Sequence, residues 1–151
     1  MAPLETRSTV AVGGQPIYST FVQFPVVCFT LTLLTDIAYW RTFNLMWQNF
    51  SSWLLFAGLV FGALAVIVGI IDFAVRPAIR ASRPAWLHVI GSVVVLVLAL
   101  LNSLVHAGDG WTAIVPWGLT LSVITVVVMI ITDWLGRSMV YRHGAGVSHH
   151  A

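Results

Sequence analysis

Four apolar runs, each long enough to cross a bilayer, constrain this chain more than any other feature. They are Phe21 to Trp40, Trp53 to Val75, Trp86 to Ala107 and Ala113 to Leu135. A helix needs about 20 mostly apolar residues to span the hydrocarbon. The runs are continuous rather than alternating, which excludes lipid-facing β-barrel strands. Composition agrees. Of 151 residues, 59% are hydrophobic and 8% charged, against roughly 25% charge in a soluble domain. Such a chain is neither a water-soluble globule nor disordered. The expected fold is an all-α integral membrane protein, an antiparallel four-helix transmembrane bundle running up-down-up-down. Residues 1–20 are expected as a polar N-terminal tail, 21–135 as the membrane domain and 136–151 as a C-terminal tail. The polar first twenty residues, with Glu5 before Arg7, do not resemble a cleavable signal.

Arginine placement sets the expected orientation. Arg7, Arg76, Arg80, Arg83, Arg137 and Arg142 fall on one side of a four-span chain, and Arg41 stands alone on the other. The positive-inside rule then puts both termini in the cytoplasm, in the inner (plasma) membrane. Trp40, Trp47, Trp53 and Trp111 fall at the outer boundary, with Trp86 and Trp134 at the inner one. With a net charge of only +2, the arginines read as topology signals, and no nucleic-acid partner is expected. The expected partners are the lipid bilayer and other membrane proteins or a second copy of the chain.

In lipid, helices associate through close backbone approach and buried polar contacts. The second run carries Gly58, Gly62, Ala65, Gly69 and Asp72 at heptad-like steps. The third carries His88, Ser92, Val95, Ala99, Asn102 and His106. The fourth carries Gly118, Ser122, Thr125, Met129, Thr132 and Gly136. The first is less regular, with Pro25, Cys28, Thr32, Thr35 and Tyr39 on one side. These seams are expected to face inward as helix-packing positions. A sharper reading makes the Gly58–Gly62 pair a dimer interface.

Ionisable groups inside a span cost roughly 2.5–3.5 kcal/mol at its centre, so each is a candidate site. Depth along the helices sorts them into two clusters. Gln23, Asp72, His88, Asp133 and Arg137 form an inner one, in which His88 could bond Asp72. Asp36, His106 and Asp109 form an outer one. His88 and His106 lie five turns apart on one helix face, about 27 Å by helix rise. A stacked pair of b-type haems would use such spacing but needs a second axial ligand at each level. Cys28 is the sole cysteine, which excludes an internal disulfide or a CxxC site. His149 and His150 on the tail read as solvated residues. No phosphate-binding, zinc-protease or nucleophile motif is present, so no enzyme activity, metal or cofactor is expected.

The string Gln15-Pro16, then Phe21-Val22-Gln23-Phe24-Pro25, resembles the opening motif of a bacterial membrane family, domain of unknown function 2231. The likeness continues through Asp36, Gly69-Ile70-Ile71-Asp72 and His88. It closes on Gly136-Arg137, Val140-Tyr141 and His143-Gly144-Ala145-Gly146-Val147, covering about residues 15 to 147. The resemblance implies a four-helix membrane bundle. Some relatives are fused to Rieske-type or cytochrome domains, which implies a redox setting. The motif's two histidines are Gln15 and Gln23 here, and glutamine has no imidazole to bind metal. The expected function is therefore a non-catalytic accessory or scaffold subunit of a membrane assembly. The alternative is a small b-type haem or quinone-linked carrier using His88 and possibly His106. A proton or ion conduit through Asp72 and His88 is weaker, because the middle of the bundle offers no continuous polar chain.

Overall fold

Long uncharged stretches that bury no backbone polar group except in their own hydrogen bonds must be helical in lipid. A computed structural model describes residues 11–12, 15–75, 83–108 and 114–143, and side-chain environments for 21–71, 74–75, 86–108 and 114–135. Its four long helices are α1 (Ile17–Thr42), α2 (Leu45–Val75), α3 (Arg83–His106) and α4 (Leu119–His143). Each is long and apolar enough to cross a membrane, over Phe21–Thr42, Leu45–Ile71, Trp86–His106 and Ile114–Leu135. Before α1, β1 (Ala11–Val12) pairs antiparallel with β2 (Gln15–Pro16).

The helices overrun several expected boundaries. The connection expected over Arg41 to Ser52 shrinks to Phe43 and Asn44, and α2 starts at Leu45 rather than Trp53. Local chemistry explains the tight turn. Phe43 takes a left-handed conformation (φ 52°) after the last turn of α1, a stop signal more usual for glycine. Asn44 then caps α2: its side-chain oxygen accepts from the Met46 amide at 3.0 Å, satisfying a donor the helix cannot. Trp53, expected at a boundary, therefore lies about two turns inside α2. At the other ends, α1 begins within the expected N-terminal tail, and α4 continues to His143 in the expected C-terminal tail. Val115 is extended (φ −115°, ψ 122°) within a π-type turn, Ile114–Gly118, that leads into α4; the Val115–Pro116 peptide is cis.

Packing follows the seams. Each helix lies against its neighbours in the chain, and α1 against α4. The α1–α2 contacts run antiparallel, since Pro25 faces Gly62, Phe29 faces Gly58 and Thr35 faces Ser51. A Cβ at Gly58 would overlap the Phe29 ring, and one at Gly62 would overlap Leu96 of α3. Gly58 and Gly62 thus spend their smallness inside one bundle, the packing reading. Ala65 is buried with them and Gly69 half-buried. Gly91 plays the same role between α3 and α4, against Thr132. Phe29, Leu55, Val95, Ala99, Val126 and Met129 form the apolar core between them.

The outward faces are the reverse of a soluble protein. Trp53, Ile70, Leu104, Ile130 and Trp134 are all more than half exposed. Contiguous apolar surface of this extent would aggregate in water and is the normal face of a helix in lipid. Outward hydroxyls are satisfied within their own helix: Thr30 donates to the Val26 carbonyl at 2.7 Å and Thr42 to that of Ala38 at 2.7 Å.

Candidate functional site

Asp36 is the most buried ionisable side chain described, with 0% of it exposed. It lies on the α1 face that also carries Cys28, Thr32 and Tyr39, so helix periodicity turns it inward. Three other helices bring donors to it. Ser51 of α2 donates to Asp36 Oδ1 at 2.5 Å. Ser122 of α4 donates to Oδ2 at 2.5 Å. His106, the last residue of α3, places Nε2 3.0 Å from Oδ1. Two further side chains extend the network. Asn102 Nδ2 donates to Ser122 Oγ at 2.7 Å, and Thr35 Oγ1 lies 2.7 Å from Ser51 Oγ. The Ser51 hydrogen goes to Asp36, while the Thr35 hydroxyl also reaches the Thr32 carbonyl at 2.9 Å and the Leu31 carbonyl at 3.0 Å.

Proton bookkeeping gives the cluster a definite charge. His106 Nδ1 lies 2.9 Å from the Asn102 carbonyl. A carbonyl only accepts, so Nδ1 carries a hydrogen. One further proton lies between Nε2 and Oδ1, and the pair is neutral overall whichever atom holds it. Neutrality lowers the cost of burial, and the serine donors offset part of the desolvation that a net charge there would carry.

Serine, histidine and aspartate meet here, but not in the order of a hydrolase. A nucleophilic serine must bond a histidine nitrogen that can take its proton. Both serines instead donate to the carboxylate, and both ring nitrogens of His106 are engaged elsewhere. The same engagement leaves His106 no nitrogen for a haem iron while these bonds stand.

The outer cluster expected from sequence thus brings Asp36 and His106 together; Asp109 lies outside the described residues. Of the inner cluster, the side chains of Gln23, His88 and Asp133 are described. Gln23 is exposed on the outward face of α1 rather than gathered inside, because the inward face at that level is held by Pro25 and Val26. His88 is half-buried, and its Nδ1 donates to the Thr132 carbonyl at 3.3 Å. That contact ties α3 to α4; the bond expected between His88 and Asp72 involves a side chain outside those described. Asp133 is half-buried. The side chains of Asp72 and Arg137 lie outside those described. Among the described residues no group of three His, Cys, Asp or Glu side chains could hold a metal ion. Ser51, buried, falls in the connection expected over Arg41 to Ser52, so hydropathy alone misses it as a donor to the site. The asparagine cap at Asn44 is the signal that would have put it on a helix.

A bundle of four apolar helices, with its polar groups turned inward and hydrocarbon-compatible faces outward, defines an integral membrane protein. The chain belongs to the family described as predicted membrane protein, domain of unknown function 2231, which matches residues 14–149. No curated protein and no solved structure matches it.

Proposed function

We propose that the protein is a non-catalytic accessory or scaffold subunit of a membrane assembly, in a redox setting. One observation carries this reading: every carboxylate oxygen of Asp36 and every ring nitrogen of His106 is engaged within the bundle. The polar groups that could do chemistry are used to fix four helices to one another. What remains for interaction is the lateral apolar surface, including a shallow recess of about 310 Å³ lined by Ser52, Trp53 and Phe56. Arginine placement supports an inner-membrane orientation with both termini cytoplasmic. The Asp36–His106 pair then lies in the half of the membrane facing away from the cytoplasm.

The test uses native membranes solubilised in mild detergent and resolved by size. The chain is expected to migrate with a larger assembly of fixed composition, well above its own 16.5 kDa, and its deletion is expected to reduce that assembly. Migration alone, with every neighbouring complex unchanged by deletion, contradicts the scaffold reading. The haem alternative has less support, since His106 is doubly engaged. Protein produced with haem supplied is expected to be colourless. A reduced Soret band lost on His88→Ala would replace the scaffold reading with the cytochrome one.

A further inference from the structure

The cluster around Asp36 retains one unused acceptor. Asn102 is 1% exposed, and its Oδ1 has no hydrogen-bond partner among the described residues. Ser122 fixes which end of the amide this is. Its single hydrogen goes to Asp36, so it must accept from Asn102, and the end facing it is the NH2. A buried acceptor left without a donor costs about 1–3 kcal/mol. In a polar interior the usual donor to such an atom is an internal water.

Position and proton count point the same way. Asp36 lies six residues before the end of α1 at Thr42, about 9 Å by helix rise, and His106 ends α3. The pair is therefore close to one aqueous boundary. It holds a single proton between Nε2 and Oδ1, because the Asn102 carbonyl keeps the hydrogen on Nδ1. The titratable side chains near it among the described residues are Tyr39, buried, and Arg41, exposed, both on α1. Among the described residues, α2 and α4 carry no titratable side chain at this end, and α3 carries only His106 itself.

We propose that this cluster is a proton-binding site, served by an internal water at Asn102 Oδ1, which exchanges one proton between the Asp36–His106 pair and the aqueous phase at the α1–α2 turn. On release the Nε2–H bond breaks and water takes the proton as hydronium. The pair passes from neutral to −1, and Ser51 and Ser122 still donate to the carboxylate. Uptake is the reverse. The apolar layer of Phe29, Leu55, Val95, Ala99 and Met129 separates this site from the His88 end. The proton therefore leaves by the way it entered, and the site senses acidity rather than conducting. This goes beyond the scaffold reading and does not rest on it.

Heteronuclear NMR of the imidazole nitrogens, on the full chain in detergent micelles, tests the proposal. His106 is assigned by the signals missing from His106→Gln. As pH is varied, Nε2 is expected to move between its protonated and unprotonated shifts while Nδ1 stays protonated. The Nε2 hydrogen is expected to exchange with solvent faster than the Val95 and Ala99 amides, and Asn102→Leu to slow it about tenfold by removing the water's acceptor. An Nε2 shift that stays constant wherever the helices remain folded overturns the proposal. So does wild-type exchange no faster than that of those core amides. If Asn102→Leu fails to fold, the wild-type titration and exchange decide the matter.

Discussion

Asp36→Ala is expected to destabilise the bundle by about 3–5 kcal/mol, the usual cost of removing one partner from a buried pair. The substitution strips the acceptor from Ser51, Ser122 and His106 at once. Those donors lie on three different helices and would lose their shared acceptor in a buried site. Asp36→Asn is expected to lose less. It keeps the volume and one acceptor oxygen, but its NH2 must face a group that is itself donating. Thermal unfolding in detergent, followed by circular dichroism, reads the order wild type, Asn, Ala. An Ala variant as stable as wild type would mean that the network sits in the interior without holding it together.

Gly58→Leu is expected to force α1 and α2 apart. Its first added carbon already overlaps the Phe29 ring, and Cys28 Cβ stands 3.1 Å from the same point. Overpacking of a filled interface costs typically 1–3 kcal/mol, and in lipid no slack is available along the seam. Ala63→Leu, on the exposed face of the same helix, is the control and is expected to be near neutral. The two variants also separate the packing and dimer readings of the glycine pair. Packing within the chain predicts lower unfolding temperature at unchanged oligomeric state. Loss of a dimer with the monomer fold intact would place Gly58 at an interface between copies.

The inward faces were legible because periodicity is strong where lipid and packing demand different side chains. Val95, Ala99, Asn102 and His106 on α3, Gly118 just before α4, and Ser122, Thr125, Met129 and Thr132 on α4 are all buried, as their spacing implies. The Asp36–His106 layer was also legible, since depth alone put both residues near one end. Its partners were not. Ser51 was hidden because hydropathy starts the second span at Trp53, whereas a capping asparagine starts the helix eight residues sooner. Capping is a local hydrogen-bond effect to which a hydropathy window is blind. Nor does sequence reveal that His88 bonds the Thr132 carbonyl, because a backbone acceptor carries no residue identity. Gln23 failed for a simpler reason: membership of a depth layer says nothing about which side of the helix a residue occupies.

The claim beneath this account is that one carboxylate, carried by α1 and reached from the three other helices, organises the interior. A double-mutant cycle on Asp36→Asn and His106→Gln tests it most directly, with unfolding free energies measured by denaturant in a fixed detergent. Residues joined in one network show coupling of 0.5–3 kcal/mol, and about 1 kcal/mol or more is expected here. Strictly additive losses would contradict the account, because the two side chains would then be neighbours that do not bond.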